Sequence, residues 1–422
     1  MLTGDPSTGH VPGRLRILYV ASRPSSPPRF GGQVRQHGLM TNLARRHAIT
    51  AVTLVDHGFD PDAARTAMRR HFEEVTLVAN PNGKTTTARR RLQLRSSVSL
   101  RSQERHWVAV PALEETVDRL LSVRHFDAAI LDFPIAPSWL RFSSHSPAHL
   151  PLVLNTHGIE HDLSRQIARR DRTIARIYRE LNWRKLRRDE LAAFRASDGI
   201  CLCSANDQTR LLADVPSART ALIPNAADVD HYQRRPSDPP PDGETVLFFG
   251  LLSVAPNADG ALFFLREIWP TIARQRPQAR CRIIGARPSL DLLELAGPRV
   301  EITGFVEDLR TELAKATVLV VPLRLGTGTR LKILEGMAMG LAIVSTTLGA
   351  EGIDVVAERD ILIADDPSIF AASVVRLLSD RVLSSRLGRA ARELAVARYS
   401  WHAAAERLES FIGEVISDRC AR

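Results

Sequence analysis

The chain has 422 residues, 44% of them hydrophobic and 25% charged, and a formal net charge of +10. That length is too great for one ordinary core and points to two domains of about 200 residues. The composition excludes general disorder, and no apolar run approaches the ~18 residues of a transmembrane helix. The positive balance favours anionic partners such as nucleotides, lipid headgroups or nucleic acid, although an arginine excess can also reflect genome composition. The cysteines, Cys201, Cys203, Cys281 and Cys420, are too few for a disulfide scaffold. Cys201 and Cys203 alternate along one strand with no second pair to complete a zinc site, so all four read as reduced core residues.

Residues 1–13 are small and polar with no apolar segment, and read as a loose tail rather than a signal peptide. A strand is expected at 16–20, then an irregular proline-bearing segment ending in Phe30-Gly31-Gly32, then a helix over 33–46. Strands follow at 49–55 and 74–79. Residues 85–123 are arginine-rich and mostly helical, and read as an insertion. Further strands are expected at 127–132, 152–156, 199–203 and 221–224, completing a first domain over 14–233. The proline-dense stretch 234–244 reads as a linker. The alternation then restarts, with strands at 245–249, 281–284, 300–303, 318–321, 342–345 and 360–364. A second domain spans 245–395, and a closing helix 396–422. Strands alternating with helices mean parallel, doubly wound sheets, so the fold class is α/β with two Rossmann-like domains facing a cleft.

One stretch, V-P-L-R-L-G-T-G-T-R-L-K-I-L-E-G-M-A-M-G-L-A-I-V-S-T from Val321 to Thr346, organises the second half. Gly326 and Gly328 permit a tight loop after a buried strand, and the helical pattern of Leu331, Leu334, Ala338 and Leu341 follows. Backbone N–H groups and the positive end of a helix then converge on one spot, which suits a phosphate. Lys332 and Glu335 share a helix face. Glu335 lies roughly 9 Å along the axis from Thr329, about the span from a diphosphate to its ribose. The plainer alternative is a turn and cap followed by a solvated ion pair.

Asn155-Thr156-His157-Gly158-Ile159-Glu160-His161 contains H-x-x-E-H, an inverted zinc-peptidase pattern. That chemistry needs both histidines on one helical turn. Here His157 closes a strand and precedes Gly158, so zinc hydrolysis is rejected. Residues 164–196 form a helical run dense in arginine, Arg172 included, with Ile174, Ile177, Leu181, Leu186 and Leu191 as an apolar stripe. Most of its charge reads as a solvated face. Attraction to an anionic membrane surface is the functional alternative. Nucleic acid is not expected as a partner, because no module or aromatic stacking set is present at 5% aromatic content.

Four further features carry a resemblance: F-F-G-L-L-S-V-A-P-N-A-D-G (Phe248 to Gly260), S-T-T-L-G-A-E-G-I (Ser345 to Ile353), L-I-P-N-A-A-D (Leu222 to Asp228) and Tyr399-Ser400-Trp401. In this order, with the Gly326-to-Glu335 loop and helix, the chain resembles the retaining GT-B glycosyltransferases of the group-1, family-four class. The resemblance implies a nucleotide-diphosphate sugar as co-substrate, no metal and no other cofactor. Glu335 would hold the donor ribose, with Arg330 and Lys332 near the diphosphate and the amides of Gly326, Thr327, Gly328 and Thr329 around it. Thr327 stands where the family often has a glutamate touching the donor sugar. Ser253 and Asn257 replace its usual arginine and lysine, and Asn257 is counted with the donor site. Gly31 and Gly32 match the first-domain glycine loop, and His157 would face the donor sugar as the catalytic residue. Glu160 and His161 would border the acceptor. The last helix would cross back to the first domain.

The resulting expectation is a cytoplasmic enzyme, peripheral to the inner membrane face in one reading. It would transfer a sugar, with retention, in polysaccharide or glycolipid assembly to a saccharide or lipid-linked acceptor. The rivals are a non-catalytic nucleotide-sugar-binding protein on the same fold, a basic membrane or nucleic-acid adaptor, and a GT-B epimerase.

Overall fold

The computed structural model describes residues 13–28, 31–57, 59–83, 86–133, 136, 140, 150–171, 173–239, 241 and 243–420. Most of the 1–13 tail, Phe30 and Arg172 therefore lie outside the described residues, as does the side chain of Cys420. Two compact units emerge: residues 1–223 with 404–422, and residues 224–403. The proline-dense stretch lies inside the second unit. Asp238 there accepts both Arg310 amino groups, at 2.7 and 2.8 Å.

The first unit is built on a parallel sheet of seven strands in the order β3-β2-β1-β4-β5-β6-β7. These are β1 (Arg16–Ala21), β2 (Ala48–Val55), β3 (Glu74–Ala79), β4 (Ala128–Asp132), β5 (Leu152–Asn155), β6 (Gly199–Leu202) and β7 (Thr220–Leu222). Continuous apolar runs such as Ile17-Leu18-Tyr19-Val20-Ala21 and Ala128-Ala129-Ile130-Leu131 are wholly buried, as a strand covered by helices on both faces requires. The first helix starts at the glycine pair and runs Gly31–Leu43, two residues earlier than the apolar pattern implies. The 85–123 segment holds three helices, Thr86–Ser97, Gln103–Val108 and Pro111–Val123.

The expected single run over 164–196 is instead two helices, Glu160–Arg170 and Ala175–Arg195. Asp171 causes the break: its carboxylate accepts the Thr173 N–H at 2.8 Å and hydroxyl at 2.7 Å, an Asx turn that competes with helix. The expected apolar stripe also divides. Leu186 and Leu191 are buried, whereas Ile174, Ile177 and Leu181 face solvent. The helix Ala175–Arg195 instead buries Asn182, Asp189 and Glu190, which fasten it to its neighbours. Asp189 accepts the Ser102 N–H and hydroxyl at 2.9 and 2.8 Å, and Asn182 accepts the Gln103 N–H at 2.9 Å. Glu190 takes the N–H groups of Glu160 and His161, capping the preceding helix.

The second unit has six parallel strands in the order β10-β9-β8-β11-β12-β13. They are β8 (Thr245–Phe249), β9 (Arg280–Ile284), β10 (Val300–Thr303), β11 (Val318–Val321), β12 (Ala342–Ser345) and β13 (Leu362–Ile363). In each sheet the strand order reverses once, at β1/β4 and at β8/β11. The crevice beyond the carboxyl ends of those strands is where open α/β sheets bind ligands. Among the described residues no helix is long and apolar enough to cross a membrane. Cys201, Cys203 and Cys281 are buried and are in no disulfide among the described residues.

Candidate functional site

The β8/β11 crevice of the second unit gathers most of the residues singled out from the sequence. After β11 the chain runs through residues 322–330 into the helix Leu331–Ala338. Gly326 and Gly328 have φ of 138° and 71°, conformations that a side chain strongly disfavours. A Cβ on Gly326 would also lie 2.6 Å from a guanidinium nitrogen of Arg330. That guanidinium is folded back onto the loop, donating to the carbonyls of Thr327 and Gly328. In this structure Arg330 therefore braces the loop from within. Thr329 is fixed through its carbonyl, which accepts from Asn225 at 3.1 Å. Its Oγ1 is buried without a hydrogen-bond partner among the described residues. A buried hydroxyl left so is costly unless a ligand completes it.

Lys332 and Glu335 are both buried, so the solvated ion pair is not what the helix carries. Each has its own partner. The Lys332 ammonium donates to Asn257 Oδ1 at 2.8 Å and lies 4.2 Å from the centre of the Phe248 ring. Asn257 is held in turn, donating to the Leu251 carbonyl at 3.1 Å. Glu335 accepts the Tyr232 hydroxyl at 3.4 Å. Burial, aided by the charge of Arg330, brings the Lys332 ammonium down to about 7 against the pull of Glu335. Burial likewise pushes the Glu335 carboxyl up to about 7, against Tyr232 and Lys332. Burial and the Glu335 charge raise the Tyr232 hydroxyl. The crevice thus holds a cation and an acid whose charges both change near neutrality, one helical turn apart.

In the first unit the corresponding crevice lies beyond β1 and β4. Gly31 and Gly32 form the first turn of the helix after β1. His157 follows β5, with its Nε2 2.6 Å from Asp132 Oδ1 at the end of β4. The other Asp132 oxygen accepts from Tyr19 at 3.1 Å and Asn155 at 3.0 Å. Asn155 accepts from the buried Arg35 at 2.8 Å, and Arg35 also donates to the Ile223 carbonyl at 2.9 Å. Burial alone would raise the Asp132 carboxyl, but His157 and Asn155 hold it below the usual carboxylate range. An Nε2–H given to Asp132 leaves Nδ1 of the partly exposed imidazole for a ligand. His161 turns inward instead, its Nδ1 2.6 Å from Glu190. The two histidines of H-x-x-E-H therefore serve different carboxylates. Glu160 opens the helix beside His161.

Asp132, Arg35, Tyr19 and Tyr232 escaped the sequence reading. Asp132 had a usable signal, since a lone carboxylate ends the apolar run Ala128-Ala129-Ile130-Leu131 at a strand's carboxyl end. Arg35 had none: one arginine in a weakly patterned helix looks like any solvated charge.

Residues 243–380 match the family model described as Glycosyl transferases group 1. An "Uncharacterized 44.6 kDa protein in cps region" of Klebsiella pneumoniae is 23% identical over 139 residues, a match covering 31% of this chain and 36% of that protein. The chain thus aligns with about a third of the length of that curated relative. Among solved structures, sucrose-phosphate synthase of Thermosynechococcus elongatus superposes with a TM-score of 0.74 at 17% identity, covering 96% of this chain and 100% of that one. HepE of Anabaena, solved in complex with UDP and glucose, gives 0.66 at 16% identity, covering 94% and 99%. WaaG, a glycosyltransferase involved in lipopolysaccharide biosynthesis, gives 0.65 at 13%, covering 94% and 99%. The fold is that of these proteins, GT-B.

Proposed function

We propose that this chain, whose residues 243–380 form a group 1 glycosyltransferase domain on the GT-B fold, transfers a sugar from a nucleoside diphosphate sugar to a saccharide acceptor. The observation that carries this reading is the β8/β11 crevice. There the buried Lys332 and Glu335 sit one turn apart on a helix that opens just after a double-glycine loop. Glu335 receives the ribose hydroxyls, and Lys332, Thr329 Oγ1 and the amides of residues 326–329 receive the diphosphate. Asn257 orients Lys332. Arg330 shapes the loop that offers those amides.

In the transfer, the bond from the anomeric carbon to the diphosphate oxygen breaks and one to the acceptor oxygen forms. The acceptor proton passes to the departing diphosphate, on the same face, so that configuration is retained. Charge on the leaving diphosphate is met by Lys332 and backbone amides, which can do this without a metal. His157, oriented by Asp132, accepts a hydrogen bond from a sugar hydroxyl at Nδ1, and Gly31 and Gly32 permit close backbone approach. Polysaccharide or glycolipid assembly on the cytoplasmic side is the setting this reading favours. The cps-region relative supports it, and a lipid-linked acceptor would hold the enzyme at a membrane surface.

The test is a melting-temperature screen over nucleoside diphosphates and their sugars, followed by a transfer assay with labelled donor. UDP and at least one UDP-sugar raise the melting temperature if the reading holds. A screen in which no nucleotide sugar binds sinks it. Thr327, standing where the family often has a sugar-binding glutamate, keeps a second reading: donor binding without turnover on any acceptor identifies a non-catalytic nucleotide-sugar protein.

A further inference from the structure

Two segments of the first unit bring large apolar side chains to the surface together. Leu94, Val98 and Leu100 come from the end of the helix Thr86–Ser97 and the turn after it, and Ile174, Ile177 and Leu181 from the start of the helix Ala175–Arg195. Each is more than half exposed, Ile174 at 90% and Val98 at 85%. Hydrogen bonds join the segments at these positions. Lys185 and Arg188 donate to the Ser96 and Leu100 carbonyls, and the Ser96 hydroxyl donates to Asn182 at 3.2 Å. Leu94 and Val98, four apart, flank Ser96. Leu181 lies one turn before Lys185 and one turn after Ile177. Leu94, Val98 and Leu100 thus lie beside the stretch from Leu181 to Arg188, and the exposed stripe continues along the helix through Ile177 and Ile174. Exposed apolar clusters of this kind mark interaction sites.

The charge around them is predominantly positive. Residues 85–103 contain five arginines and no aspartate or glutamate. Arg95, Arg101, Arg184 and Arg188 are exposed around the apolar residues. Glu180, the nearest acid on the second helix, is already engaged by Arg184 and Trp183. Apolar side chains ringed by arginine match the boundary of an anionic bilayer, where the first enter the acyl region and the second meet phosphate headgroups. A nucleic acid would satisfy the arginines but leave the isoleucines and leucines in water. We propose that this surface, formed by the arginine-rich insertion and the first half of the helix Ala175–Arg195, docks the chain on a membrane bearing anionic phospholipids. The proposal deepens the reading of a lipid-linked acceptor, yet its test is independent of donor binding.

The experiment is co-sedimentation of the full chain with vesicles of phosphatidylcholine alone or mixed with phosphatidylglycerol. The chain pellets with the mixed vesicles, less as salt is raised, and not with neutral ones. Val98→Asp combined with Leu181→Asp weakens the association about tenfold or more, and Arg95→Ala or Arg184→Ala weakens it about fivefold each. The melting-temperature shift produced by UDP is unchanged in every variant, which separates this proposal from the donor site. Should the double aspartate variant melt early, the arginine variants carry the same test. Failure to pellet with mixed vesicles overturns the proposal, as does equal pelleting of the variants. A wild-type dimer that Val98→Asp disperses overturns it too, by showing that a second copy covers the patch.

Discussion

Lys332 and Glu335 are burdened by the same cost, the removal of a charge from water, and it moves their titrations toward each other from opposite ends of the pH scale. Their ligand effects then have opposite pH signatures. Lys332 carries its charge below about 7, so the affinity for UDP gained from it is greatest at acid pH and fades as pH rises through neutrality. Lys332→Met therefore weakens UDP binding more at pH 6 than at pH 8. Glu335 is a full acceptor only above about 7. Glu335→Gln weakens binding about tenfold to a hundredfold, with the larger loss at pH 8; titration calorimetry at both pH values checks the pair. Stability follows the same accounting. Folding raises Glu335 from 4.5 to about 7, so the native state holds the extra proton between those values and stability declines across that window. Glu335→Gln removes the decline, as unfolding midpoints between pH 5 and 7 will record. In the first unit, Asp132→Asn leaves His157 in place but disturbs its tautomer, and lowers turnover about a hundredfold or more while UDP affinity holds. Asp132 is held below its ordinary value, so its contribution to stability is complete above that value and disappears only as pH falls through the lowered one.

Elements show why so much of the fold was legible and part of the site was not. Most β-strands announce themselves as short apolar runs, and β8, β11 and β12 fall where those runs lie, while β10 shows the alternation of a half-exposed strand. The 326–329 loop was legible through its glycines, because the φ values of 326 and 328 are ones that glycine adopts far more readily than other residues. Gly326→Ala should cost about 1–3 kcal/mol of stability and displace Arg330, with UDP affinity falling in the same titration. The helix Ala175–Arg195 was misread because its inward face is polar. Asn182, Asp189 and Glu190 hold other segments by hydrogen bonds, and a periodicity of apolar residues cannot report them. Asp189→Ala strands the Ser102 donors, so it should cost about 1–3 kcal/mol and speed amide exchange selectively across residues 86–108. The Asp132–Asn155–Arg35 chain was hidden for a related reason: its members are far apart in sequence and meet only at strand ends.

At the scale of the molecule, each unit has its own core. One is built around β8 and β11, with Phe248, Phe264 and Phe370; the other around β1, β4 and the Pro111–Val123 helix. A nucleotide held by the second unit stabilises that unit alone, by about 2.7 kcal/mol at about a hundred times its dissociation constant. Calorimetry with and without UDP should then show one transition moving and the other standing still. The first unit has a different peculiarity, because its fold uses residues from 404 onward. His47 and Arg46 meet Glu409 at 3.1 and 3.0 Å, Arg419 meets Asp198 at 3.1 Å, and Gly199 on β6 leaves just the room that Phe411 and Val415 fill. The part of the protein made first on the ribosome is therefore the part finished last. While residues 224–403 are being synthesised, β6 lacks the cover that Phe411 and Val415 later provide. A premature stop after Ala403 would spare the unit 224–403 and cripple the half translated hundreds of codons earlier.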